Sequence, residues 1–592
     1  MADPSPRPAP HPVFALSDRF VDDLAALSPM TASALGVPGG DDRWDDTSPH
    51  GYQAQAELYR RYQRELAELP VPGDGEASAG EGGEGEAGQW DRLAVRVLGE
   101  LLELSLDPIE HGDHLHELGH IQSLVPELRS TFELMGTSSA EEWTNVAARL
   151  ERLGQPLSGL RASLTEGRRR GLVAAQRQVR SIISQLRAGT AAGGALAQLV
   201  DSFDGSEAMG GTAMAERLAD ALTAAATASE GLARWLEDDY LPTATEVDGV
   251  GAERYQRAAR AFLGTDLDLA ETYRWGWDHL LDIRSQMNTL AAQIDADATL
   301  VEVVHRLATA DVGAGAVAGQ DEFRDQMLQR IRQAIDDLDG SHFQIPAEIK
   351  SCDVRMAPAG APLGAWFVPP SEDFSRPGTT WWSMGDRAPV PVWDQVTTAY
   401  HEGFPGHHLQ CGLQVYLREH LSRAHRLLFW LPGYGEGWAL YAERLMRELG
   451  YFEKPEYELG LLAGNALRAA RVAIDIGSHL DLPIPDDVTL DGAPFHAGER
   501  WTFETGVECL ERFAFQPHDL AVSEITRYLG WPGQAIAYKV GERAILALRD
   551  EVQARDGDRF DLKAFHADVL GHGPVGLDHL RELVIGTGGP AS

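Results

Sequence analysis

The chain has 592 residues, a formal net charge of −39 and 43% hydrophobic residues. That content is ample for a large buried core. The acidity argues against a nucleic-acid surface, which needs basic residues, and it disfavours anionic membranes. No stretch reaches the length of a transmembrane helix. Three widely spaced cysteines, Cys352, Cys411 and Cys509, make neither a zinc ribbon nor a disulfide framework. The proline-rich start lacks the apolar segment of a secretory signal. The expectation is a cytoplasmic protein.

Residues 1–12 are expected to form a disordered tail, and residues 13–592 a single domain. Within it, 13–350 would be an N-terminal helical lobe and 351–592 a lobe carrying the chemistry. The Gly/Glu-rich run 73–88 reads as a flexible acidic loop, since its composition cannot bury a core. Helical periodicity dominates elsewhere: Trp90–Leu106, Ala140–Leu153, Leu172–Arg187, Ala213–Leu236, Tyr255–Leu263 and Glu322–Leu338. His116-Glu117-Leu118-Gly119-His120 is a literal H-E-x-x-H. Its neighbours Pro108, Gly112 and Pro126 leave little room for a helix, and His111, Asp113 and His114 are polar. The segment is therefore expected to be an exposed helix start rather than a metal site. Prolines and glycines then punctuate residues 352–392, where Ala365–Val368 and Thr379–Ser383 read as strands. Thr379–Met384, with Trp381 and Trp382, is a candidate free edge for pairing an extended peptide.

His401-Glu402-Gly403-Phe404-Pro405-Gly406-His407-His408 follows. Neutral imidazoles bind divalent metals, and a neighbouring glutamate can act as a base toward water. His401 and His407 are six residues apart, about 240° around an ideal helix, so a straight helix would splay them. Pro405 removes an N–H and Gly406 lets the chain leave helical geometry. The spacing predicts a helix that breaks at Pro405-Gly406 and restarts near His407, with His408 as the second choice of ligand. Val392, Val396, Ala399, Tyr400 and then Leu409, Leu413 and Leu417 mark buried faces on both sides.

A catalytic metal usually takes three protein ligands. Glu436, in Glu436-Gly437-Trp438-Ala439-Leu440-Tyr441-Ala442-Glu443, is either the third ligand or a helix-start glutamate favoured by the dipole. Glu443 is its substitute. Arg468, Arg471, Asp475 and His479 lie in one helical segment. Arg471 could grip a substrate carboxylate or pair with Asp475. Tyr538, in the helix opened by Pro532-Gly533-Gln534, could steady an oxyanion, as could His479.

Three ordered motifs, His401–Gln410, Glu436–Glu443 and Pro532–Gly541, together resemble the bacterial family called domain of unknown function 885. The likeness runs from about Phe14 to the C-terminal Phe565-His566. The resemblance implies a mostly helical, two-lobed, zinc-peptidase-like fold with a deep cleft, similar to the thimet oligopeptidase and angiotensin-converting enzyme group. A small β-sheet precedes the metal-motif helix. The resemblance also implies His401, His407 and Glu436 as ligands of one zinc ion and Glu402 as the base. The resulting expectation is a zinc-dependent metallopeptidase that cleaves short peptides. A metal-dependent amidase of a non-peptide small molecule and an inactive peptide-binding relative remain alternatives.

Overall fold

A computed structural model describes residues 11–70, 86–310, 315–358, 363–385 and 387–586. The expected tail and acidic loop fall mostly outside them. The described ends of both are helical: one helix runs Pro12–Leu27 and another Glu86–Glu110. The protein is mostly helical, with small sheets. Among the described residues no helix is long and apolar enough to cross a membrane. The chain forms two compact units, dividing at Asp248/Gly249.

The first unit comprises residues 6–248 with Ser422–Leu428. Its helices start where the sequence offers caps. Ser139 accepts from the Glu142 N–H at the head of Ala140–Arg152, and proline opens Pro12–Leu27 and Pro49–Ala67. The helix expected from Leu172 begins later, at Gln176. Ala174 and Gln176 are instead held by backbone hydrogen bonds to Thr245, and these satisfy peptide groups that a longer helix would have used. The Glu86–Glu110 helix contains Pro108 in its last turn, so that proline does not exclude a helix before His116. The H-E-x-x-H segment itself is not helical, and His116 is buried rather than exposed. His116 Nδ1 lies 3.3 Å from the Gly112 carbonyl and His120 Nδ1 lies 2.8 Å from Ser181 Oγ.

The second unit comprises Gly249–Leu421 and Phe429–Ser592. The long helices Leu269–Ile294 and Pro455–His479 lie against each other, with Gly276 admitting the Val472 side chain. The three-stranded sheet has Gly378–Ser383 in its centre, parallel to Cys352–Met356 and antiparallel to Gly364–Val368. The expected free edge at Thr379–Met384 is thus the paired centre, and Gly364–Val368 is an outer strand. Trp382 is fully buried, meets Phe323 edge-on at 5.8 Å and donates to Gln395 Oε1 at 3.2 Å. It is a core residue and cannot touch a peptide. Trp381 is half-buried and stacks on Trp366, ring centres 6.1 Å apart.

Three buried histidines share one arrangement. His408, His479 and His566 each place a ring nitrogen against a backbone carbonyl, of Ile349 (2.8 Å), Tyr528 (3.0 Å) and His342 (3.0 Å). Burial holds each pKa down to about 4, below the unfolded value of about 6.5. Between those values the unfolded chain binds more protons than the folded one, so stability falls as pH falls. Together the three give a slope of roughly 4 kcal/mol per pH unit at its steepest. By histidine-resolved NMR, the three rings should stay neutral down to about pH 5. Titration of any of them near 6.5 would contradict the neutral, buried assignment.

Candidate metal centre

The helix Gln395–Glu402 is driven inward by Val396, Ala399 and Tyr400, all buried, and this carries His401 into the interior. It ends at Glu402, where the Gly403 N–H closes the last turn on the Ala399 carbonyl at 3.0 Å. The chain passes through a cis Phe404-Pro405 bond, and Gly406 N–H donates to the Tyr400 carbonyl at 3.0 Å. A Cβ on Gly406 would lie 1.9 Å from the His401 carbonyl oxygen, and one on Gly403 would lie 2.4 Å from that of Ala399. Both glycines are therefore demanded by close backbone approach. The helix restarts as His407–Tyr416. The break expected at Pro405-Gly406 is present and begins two residues earlier. It sets the His401 and His407 rings 5.0 Å apart and nearly perpendicular.

Glu436 arrives from the helix Pro432–Glu448. Its Oε2 is 3.3 Å from His401 Nε2 and 3.6 Å from His407 Nε2. One ligand atom from each of the three residues falls within 4.8 Å of the others. The remaining ring nitrogens are occupied: His401 Nδ1 donates to Glu443 Oε1 at 2.7 Å, and His407 Nδ1 to Gln410 Oε1 at 3.3 Å. Those bonds fix the tautomer and aim both Nε2 lone pairs at one point. Glu443 is itself held by the Thr397 hydroxyl and lies 3.8 Å from Arg468. Glu436 Oε2 is buried without a hydrogen bond, which is costly for a carboxylate unless a cation meets it. Two imidazoles and one carboxylate are a donor set suited to a divalent ion such as zinc, and these residues fit one.

Without an ion, the carboxylates draw positive charge onto the histidines themselves. Burial opposes ionisation of His401, but Glu436 and Glu443 outweigh it and raise the pKa to about 10. Burial would also raise Glu436, yet the two histidines hold it well below the ordinary carboxylate range. Glu402 stands beside the set, Oε1 4.0 Å from His401 Nε2, and burial raises its pKa. Cys411 is near, but burial, then the charges of Glu402 and Glu436, push its thiol up to about 12.

The structure sorts the other expected residues. His408 Nε2 is turned to the Ile349 carbonyl, so His407 is the histidine that joins His401. Glu443 supports His401 from behind and is not among the three donors. Tyr538 lies on the helix Ala537–Asp556, which approaches Pro432–Glu448 through Gly433, Gly437 and Gly541. Burial and the Glu436 charge raise its phenol to about 12, so it stays protonated and able to donate. His479 is drawn elsewhere: its Nε2 faces the Tyr528 carbonyl and Asp475 Oδ1 at 3.6 Å. It takes no place beside the donor set. Arg471 does not pair with Asp475. Its Nε donates to the Tyr528 hydroxyl and a terminal nitrogen to Glu524, at 2.9 and 2.8 Å. Asp475 instead accepts from the Tyr255 hydroxyl and the Gly533 N–H. Thr397 and the orienting role of Gln410 were not read from sequence. Their signals are one-turn spacings, four residues before His401 and three after His407.

Gly406→Ala should abolish stoichiometric metal binding, because its Cβ cannot coexist with the His401 carbonyl. Glu443→Ala should leave the three ligands but weaken zinc affinity by about 10–100-fold. The double change His116→Ala, His120→Ala should leave metal content unaltered. Metal analysis after dialysis against a competing chelator checks all three. Full zinc retention in Gly406→Ala, or its loss in the double variant, would contradict this assignment.

No curated protein matches the chain. Among solved structures it is similar to the crystal structure described as a "putative lipoprotein from Colwellia psychrerythraea", with TM-score 0.77 and 22% identity over 97% of this chain and 98% of that one. It is also similar to a "putative lipoprotein of unknown function from Shewanella oneidensis", with TM-score 0.72 and 18% identity over 97% and 99%. At these identities the likeness shows a shared fold. The family model described as "Bacterial protein of unknown function (DUF885)" matches residues 29–584, nearly the full length, and the chain belongs to that family.

Proposed function

We propose that this protein is a zinc-dependent hydrolase that cleaves amide bonds of short peptides. The observation that carries the reading is the convergence of His401 Nε2, His407 Nε2 and a Glu436 oxygen within 4.8 Å, with Glu402 alongside. The zinc-peptidase likeness of the fold belongs to the same proposal. When bound, a divalent ion supplies Lewis-acid polarisation and lowers the pKa of water.

The residues of the chain supply the remaining steps. Glu402 accepts a proton from the attacking water at a carboxylate oxygen. The water oxygen bonds to the carbonyl carbon, the C–N bond breaks, and Glu402 returns the proton to the departing nitrogen. The products are a carboxylate and an amine. The Tyr538 hydroxyl donates to the carbonyl oxygen as negative charge gathers on it. The half-buried Trp381, stacked on Trp366, offers a flat apolar surface for a peptide side chain.

The zinc-loaded protein should degrade a mixed-peptide digest, read by mass spectrometry, and chelator should stop it. Glu402→Gln should keep its zinc and lose at least about 100-fold in kcat. Tyr538→Phe should lower kcat by about 10–1,000-fold with little change in KM, since its contact matters in the transition state. Normal hydrolysis by Glu402→Gln would remove Glu402 as the base. An intact digest alongside cleavage of small non-peptide amides would replace the peptidase reading with an amidase.

A further inference from the structure

Beside the donor set lies a group of arginines whose hydrogen-bonding capacity is incompletely used. Arg471, from Pro455–His479, and Arg527, from His518–Gly530, share one carboxylate. Glu524 Oε2 accepts from Arg471 at 2.8 Å and from Arg527 at 2.9 Å, and Oε1 accepts from Arg527 Nε at 3.0 Å. The three side chains are only 11%, 9% and 14% exposed for Arg471, Arg527 and Glu524. Arg527 makes a further bond to the neutral Gln534 oxygen. Arg468, one turn before Arg471, has Glu443 at 3.8 Å as its acid contact. That carboxylate already accepts from His401 and Thr397. Arg468 Nε is buried without a hydrogen bond. Arg468 also feels the Glu402 charge, so what stands open is its buried, unbonded Nε rather than a missing acid.

The position of these guanidiniums is specific. The Arg471 guanidinium lies 4.9 Å from the centre of the Tyr538 ring. Arg468 reaches the carboxylate that orients His401. Arg468 and Arg471 therefore border both the metal ligands and the proposed oxyanion donor. A buried donor without a hydrogen bond is expensive, and a planar guanidinium pairs best with a carboxylate.

We propose that Arg468 and Arg471 bind a free carboxylate of the substrate, so that this centre acts on short peptides close to their C-terminus. The inference rests on the hydrolase reading and names its substrate class. Its test is binding to the zinc-loaded Glu402→Gln protein, by calorimetry, of acetyl-trialanine as the free acid and as the C-terminal amide. The acid should bind at least tenfold more tightly. Adding Arg468→Gln or Arg471→Lys should cut that advantage below threefold, with zinc content unchanged. Equal binding of acid and amide overturns the proposal. So does an acid preference that survives both arginine changes, since the carboxylate would then be held elsewhere. The two readings separate in the parent protein. An arginine-dependent acid preference without hydrolysis supports the subsite and removes the hydrolase, whereas hydrolysis without acid preference does the reverse.

Discussion

The contact between Gly406 and the His401 carbonyl is the constraint on which the centre depends. Histidines six residues apart cannot share a face of one helix. They meet here because the chain stops at Glu402, doubles back through Gly403–Gly406 and restarts at His407. A side chain at Gly406 would overlap the His401 carbonyl at 1.9 Å, so the turn exists only with glycine there. The Trp438 indole, two residues after Glu436 on the Pro432–Glu448 helix, donates to the Pro405 carbonyl at 2.9 Å. The turn and the helix bearing Glu436 are thereby held together.

Around that turn, polar groups are arranged in shells. Glu443 and Gln410 fix the rings, and Thr397 fixes Glu443. Arg468 then links the shell to the arginines near Tyr538. Two places beside the turn stand out: Glu436 Oε2, faced by the two histidine nitrogens at 3.3 and 3.6 Å, and Arg468 Nε, buried without a hydrogen bond. A protein interior seldom tolerates such gaps without a function. One gap is negative and fits a cation; the other is positive and fits an anion. A substrate that bears a carboxylate and meets a metal would address both.

Much of this was legible in sequence because the signals were local. The helix break followed from a proline and a glycine between two histidines. The buried stripes around the motif followed from period 3.6. What was not legible depended on long-range pairing. Nothing in Thr379–Met384 says that its strand lies between two others, so Trp382 read as a docking residue when it is core. Arg471 and Asp475 have the spacing of an ion pair, yet tertiary partners supplied by the His518–Gly530 helix and by Tyr255 and Gly533 capture each of them. The unit boundary at residue 248 leaves no break in composition to mark it. The literal H-E-x-x-H at 116–120 shows the converse: the right letters, without a helix to align them.

X-ray absorption at the zinc edge, on protein loaded to one equivalent, reports ligand type and distance. A centre of His401, His407 and Glu436 gives nitrogen and oxygen scatterers only, at about 2.0–2.2 Å, with the multiple-scattering signature of two imidazoles. A sulfur scatterer at about 2.3 Å would place the ion on Cys411 or another cysteine, and together with any imidazole count other than two it would contradict the centre built by His401, His407 and Glu436.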